Sequence, residues 1–139
     1  MNNYWETNYL AAQPGKADFR YSLYLHEGFN AISNEKRGLE RAQPLIVVPS
    51  SGKKSLPESL FIMDNDQVIV TALIPGDDNQ HFLIRLYNPG ENPENFSFFW
   101  NLFNPKEISV CGLSGEDPIV LRTPLKLKPH DFETIRIDF

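Results

Sequence analysis

The sequence predicts a mainly β protein, an antiparallel β-sandwich with one short crossover helix near residues 30–42. Three observations predict it. Turn-forming residues recur at short intervals, the segments between them alternate apolar and polar side chains, and a single segment breaks that alternation with helical spacing.

The turn signals are Asp64-Asn65-Asp66, Pro75-Gly76-Asp77-Asp78-Asn79, Asn88-Pro89-Gly90, Gly112-Leu113-Ser114-Gly115 and Pro129-His130-Asp131. Proline presets φ, glycine supplies positive φ, and Asn or Asp bonds back to its own backbone. The first strand pattern sets Phe19, Tyr21, Leu23 and Leu25 against Arg20, Ser22, Tyr24 and His26. Residues 30–42 then lose the alternation: Phe29, Ile32, Leu39 and Ala42 approximate helical spacing, Asn30 is placed to cap the start, and Pro44 to end it. Gly38 weakens this helix by about 1 kcal/mol relative to Ala.

Residues 68–73 are apolar on both faces, which predicts a central strand covered on each side. Phe82, Ile84 and Leu86 alternate with Leu83, Arg85 and Tyr87. Phe96, Phe98, Trp100 and Leu102 share one face, with Phe99 and Phe103 on the other. The closing run, Ile135, Ile137 and Phe139 against Thr134, Arg136 and Asp138, reads as a strand docked into a sheet and not as a frayed tail. Residues 1–44 and 45–139 differ in texture, but 139 residues are read as one packed unit.

Composition narrows the function classes. A hydrophobic fraction of 41% and an aromatic fraction of 12% belong to a folded globular chain. A net charge of −5 with no basic cluster argues against nucleic acid, because phosphate binding needs concentrated Lys and Arg. No apolar run reaches the roughly 20 residues of a membrane span, and the N-terminus has no signal-like stretch. The single Cys111 excludes an internal disulfide framework and suits a reducing, cytoplasmic setting.

A reaction centre is not visible. His26, His81 and His130 are far apart in sequence with no second donor beside them, whereas a zinc site needs three or four convergent ligands. Cys111 lies in a strand-like run without an activating neighbour and reads as a small buried hydrophobe. The carboxylates Asp77, Asp78, Glu91, Glu94, Glu116 and Asp117 fall in turns, and nothing singles out a catalytic pair among them. Asn95-Phe96-Ser97 fits the glycosylation sequon, read here as chance.

Two stretches carry a resemblance. Met1-Asn2-Asn3-Tyr4-Trp5-Glu6-Thr7-Asn8-Tyr9, Gln13-Pro14-Gly15 and Phe19-Arg20-Tyr21-Ser22-Leu23 resemble an internal segment of the α-mannosidases of glycoside hydrolase family 38. The second stretch runs from Val68-Ile69-Val70-Thr71-Ala72-Leu73 through Phe82-Leu83-Ile84-Arg85-Leu86-Tyr87-Asn88-Pro89. It ends in Leu127-Lys128-Pro129-His130-Asp131-Phe132-Glu133-Thr134-Ile135-Arg136-Ile137, and the whole is similar to that family's closing pattern.

The resemblance implies a C-terminal β-sandwich from a larger multidomain glycosidase, with Met1 matching an internal methionine of the family. The parent would be a retaining, zinc-dependent exo-α-mannosidase, with its aspartate nucleophile and zinc ligands in a missing N-terminal catalytic domain. No residue here matches those positions. This chain is therefore expected to be non-catalytic and without a cofactor, its partner being the rest of the parent chain, with a mannose-containing glycan within reach. Tyr4, Trp5 and Tyr9 are the candidates for a sugar-contacting loop or, preferred, a domain interface; Trp100 is in phase with Phe96 and Phe98 and is assigned to the core. The rival readings are a free-standing carbohydrate-binding module and a plain immunoglobulin-like interaction module.

Overall fold

The computed structural model describes residues 15–47, 49, 51, 52, 59–122 and 124–139. Helix α1 spans Ala31–Ala42. The strands follow in chain order: β1 (Phe61–Met63), β2 (Ile69–Pro75), β3 (His81–Tyr87), β4 (Glu94–Phe96), β5 (Phe98–Trp100), β6 (Glu107–Cys111), β7 (Ile119–Val120), β8 (Leu125–Leu127) and β9 (Phe132–Asp138).

Five strands make one antiparallel sheet in the order β2-β3-β9-β6-β7. Register decides its two faces, because residues opposite one another in an antiparallel pair point the same way. Ile84 faces Ile135 and Phe82 faces Ile137, while Val110 and Ile108 face the same two isoleucines from the other side. This apolar face packs on a second layer made of two small antiparallel pairs, β1 with β5 and β4 with β8. Phe61, Met63, Phe98 and Trp100 come from the first pair; Phe96, Leu125 and Leu127 come from the second. The result is the antiparallel β-sandwich that the turn spacing predicts.

Aromatic rings join the layers. Phe82, on the large sheet, meets Trp100 at 6.2 Å and Phe103 at 6.1 Å between ring centroids, both edge-on, and Phe139 at 5.9 Å. Edge-to-face contacts of this kind add about 0.5–1.5 kcal/mol beyond burial. Trp100 thus lies in the core, as its phase predicts. The alternation stops there: Asn101 donates through its backbone N–H to the Leu60 carbonyl (3.1 Å), and the chain bends. Leu102 is consequently exposed while Phe103 turns inward, the reverse of the expected pattern.

Turns form where Pro, Gly, Asn and Asp mark them. Asn79, Asp117 and His130 all adopt positive φ (56°, 49° and 55°), residue types that tolerate the left-handed region. Gly115, at φ 89°, brings the β6–β7 loop down onto Leu83. That loop buries Leu83 on the outer face, and its Leu113 carbonyl accepts a hydrogen bond from Arg85 Nη2 at 2.9 Å. Asn88 is fully buried yet satisfied: its amide donates to the carbonyls of Asn92 (2.7 Å), Lys128 (3.1 Å) and Leu127 (3.3 Å), and its oxygen accepts from Gly90 N–H (2.9 Å). It ties the chain after β3 to the chain after β8.

Helix α1 forms where expected. Asn30 Oδ1 accepts from Ser33 N–H at 2.7 Å, and Gln43 N–H closes the last turn on the Leu39 carbonyl ahead of Pro44. Three other expectations change. The helix precedes every described strand, so among the described residues it does not cross over between two of them. Residues 68–73 supply an edge strand and not a central one: β2 pairs only with β3, a bulge between Val70 and Ala72 shifts its register, and Leu73 is 52% exposed. Pro75 suits that edge. Gly76 N–H bonds the His81 carbonyl, which puts Pro75 at a position whose missing N–H faces outward. Finally, residues 19–26 form no strand, because no described segment pairs with them.

Two substitutions test this core. Ile135→Ala removes a fully buried side chain and should cost about 2–5 kcal/mol in urea unfolding, against about 0.5 kcal/mol or less for exposed Leu113→Ala. Asn88→Ala removes a fully buried amide that bonds three carbonyls, one of those bonds buried and two part-buried, and should cost about 1–3 kcal/mol in the same measurement.

Candidate functional site

Catalytic chemistry needs convergent groups, and the described residues keep theirs apart. His26 Nδ1 lies 2.6 Å from the Gly28 carbonyl, His81 Nδ1 lies 2.8 Å from Asp78 Oδ1, and His130 Nε2 lies 3.4 Å from Glu91 Oε1. Among the described residues no three His, Cys, Asp or Glu side chains gather as a metal site. Cys111 is half-buried with its Sγ 3.5 Å from the Thr134 carbonyl; burial, then the charge of Glu116, pushes its thiol above the usual range, away from a reactive thiolate. Glu133 is also raised, by burial and then by Asp131; it lies opposite Leu86, on the face of β9 that carries Ile135 and Ile137.

Two surface features stand out instead. The first is the segment before the sandwich. Phe19, Tyr21, Leu23, Leu25 and Phe29 are exposed, Leu23 at 96% and Leu25 at 93%, and Leu45, Ile46 and Val47 after α1 are exposed as well. Isolated exposed leucines are ordinary, but eight large apolar side chains flanking one helix are not. The arm is tied to that helix by Arg37, whose guanidinium lies 3.6 Å from the centroid of the Tyr24 ring; within the arm, Tyr24 also stacks on His26.

The second feature is a groove of about 400 Å3 between α1 and the β1–β2 turn, lined by Ser33, Lys36, Arg37, Glu40, Asp66 and Gln67 among others. Lys36 Nζ donates to the Asp66 carbonyl at 2.7 Å and holds the two walls together. The turn is itself anchored: Asn65 Oδ1 accepts from Gln67 N–H, and Asn65 Nδ2 donates to Glu94 Oε2 (2.8 Å) and to the Asn95 carbonyl (2.9 Å). Lys36 and Arg37 follow one another on α1. Their 3- and 4-residue spacing from Ser33 and Glu40 was the available signal for one shared stripe.

Tyr4, Trp5 and Tyr9 lie outside the described residues. Of the sequence-stated candidates, only Trp100 is placed, and it faces the core. No described helix is long and apolar enough to cross a membrane.

One electrostatic detail is testable directly. The Gln80 backbone N–H (2.9 Å) and then the neighbouring His81 hold the Asp78 carboxyl below its ordinary range. A carboxyl depressed in the folded state contributes stability above its unfolded value and loses it as pH falls through the lowered one. The stability difference between wild type and Asp78→Asn should therefore be flat at neutral pH and shrink below about pH 4, as read by urea unfolding at stepped pH.

Comparison with known proteins adds the family. Residues 67–135 match the family described as glycosyl hydrolases family 38 C-terminal beta sandwich domain. No curated protein and no solved structure matches the chain. The matched span opens just before β2 and runs into β9, so it contains the whole five-stranded sheet up to Ile135. The chain therefore carries, over residues 67–135, the C-terminal β-sandwich domain of the family 38 glycosyl hydrolases.

Proposed function

We propose that this chain is the non-catalytic C-terminal β-sandwich of a retaining, zinc-dependent α-mannosidase acting on mannose-containing glycans. It packs on the catalytic domain of its parent and borders the substrate pocket, while the nucleophile and the zinc belong to that other domain. The observation that carries the reading is the apolar arm: residues 19–26 hold a period-2 pattern suited to a sheet, and Phe19, Tyr21, Leu23 and Leu25 are left uncovered. An alternating segment of this kind is covered when another part of the enzyme supplies its partner strand or face. Tyr4, Trp5 and Tyr9 belong to the same contact in this reading. The lone Cys111 supports a cytoplasmic setting for the parent.

A free-standing carbohydrate-binding module would present a row of exposed rings. On the sandwich, Phe99 is on the outer side of β5 and Phe132 is on the opposite layer, stacked on Tyr87 at 4.3 Å, while further exposed rings, Phe19, Tyr21 and Phe29, belong to the apolar arm. That separation favours the scaffold reading.

An antibody raised against the chain should detect, in the source cells, a product far heavier than 15.9 kDa. A native species of 15.9 kDa would overturn the proposal. In isolation, the chain should self-associate in light scattering as concentration rises, and Leu23→Glu with Leu25→Glu should return it to monomer without lowering its unfolding midpoint.

A further inference from the structure

The groove between α1 and the β1–β2 turn has the chemistry of a small-ligand site that the scaffold reading does not use. Its volume, about 400 Å3, is that of a pocket for a small molecule. Ser33, Lys36, Arg37 and Glu40 line it from one stripe of α1, and Asp66 and Gln67 line it from the turn. Two cations stand with two carboxylates, so the formal charges cancel. A phosphate would meet Glu40 and Asp66, and a cation would meet Lys36 and Arg37; either would be opposed at short range.

Several of these groups have bonding capacity left over. The Glu40 carboxylate and the Ser33 hydroxyl have no hydrogen-bond partner among the described residues. Lys36 gives one bond to the Asp66 carbonyl and carries two further N–H donors; Arg37, with its guanidinium carbon 3.6 Å from the Tyr24 ring centroid, carries five N–H donors. Asp66 shares one carboxylate oxygen with the Gln67 amide and keeps the other. Donors and acceptors thus alternate around a neutral space, and Ile32 adds an apolar wall. The walls are already fixed by the Lys36 bond and by the Asn65 anchor, so little ordering is left to oppose binding.

We propose that this groove binds a neutral polyhydroxylated ligand, a saccharide unit. Glu40 and Asp66 accept from its hydroxyls, and Arg37, Lys36 and Ser33 donate to them. Neighbouring hydroxyls of a sugar act as donor and acceptor at once, which is the pattern that mixed lining satisfies and a single ion does not. The groove is open to solvent on one side, so affinity is weak, on the order of 1 mM. The proposal does not rest on the mannosidase reading: α1 and Asp66 lie outside the matched span 67–135, and the site is complete within this chain.

The test is an amide-shift NMR titration of the 139-residue chain with methyl α-D-mannopyranoside, methyl α-D-glucopyranoside and inorganic phosphate in separate series. A glycoside should shift Lys36, Glu40, Asp66 and Gln67 saturably. Glu40→Gln and Arg37→Gln, both at exposed positions, should each weaken that binding about tenfold while leaving the Asn88 and Ile135 signals in place. Absence of groove shifts with both glycosides, shifts with phosphate alone, or binding unchanged in Glu40→Gln would each overturn the proposal. None of those outcomes bears on the size of the native gene product, so the two readings fail separately.

Discussion

The pairing of β9 on both of its sides is the constraint from which the rest follows. β9 lies between β3 and β6, in register with seven residues of one and five of the other. Without it, β2-β3 and β6-β7 would be two separate hairpin-like pieces, each with an unpaired edge and an uncovered apolar face. Ile135 and Ile137 then sit at the centre of one face, flanked by Ile84 and Phe82 on one side and by Val110 and Ile108 on the other. The second layer has no sheet of comparable width to organise it. Its two small strand pairs hold their places because Phe61, Phe98, Trp100 and Leu127 find that isoleucine-rich face. The aromatic joint at Phe82 is a product of the same register.

Much of this was legible from residue order alone. β3 and β9 declared themselves because each has one buried face, and burial on one face leaves a period of two in the sequence. The helix and its cap were legible for a similar reason: Asn30, helical spacing and Pro44 act locally, within a few residues of one another. What could not be read was set at longer range. Residues 68–73 look like an interior strand, and only the bulge at Val70 and the position of β2 in the sheet make them an edge. Leu102 and Phe103 exchange roles because Asn101 bonds to Leu60, some forty residues earlier, and no periodicity encodes that contact. In residues 19–26 the pattern is that of a strand, but a strand is a property of two segments, and among the described residues no second segment pairs with them.

The candidate sites were legible to different degrees. Exposed apolar character in the arm follows from its composition, because none of the described residues covers it. The polar groove was hidden because its lining comes from a helix stripe and from a turn thirty residues away, joined by Lys36 and the Asp66 carbonyl. Each half reads as ordinary solvated polarity. Convergence, and with it any selectivity between ions and neutral hydroxyls, exists only after α1 has settled beside the turn.

The central position of β9 also has a meaning in time. Ile84 must wait for Ile135, about fifty residues later in the chain, before its place in the sheet is secured. As a growing polypeptide leaves the ribosome, β3 and β6 emerge with their inner faces complete in sequence but uncovered, and they stay so until β9 follows them. Such non-local pairing folds slowly, and the waiting hairpins are the species most open to misassociation. A strand that comes late in the chain and sits at the middle of a sheet thus ties the closing of that sheet to its own synthesis, and a chain cut before β9 keeps β2-β3 and β6-β7 as unjoined pieces.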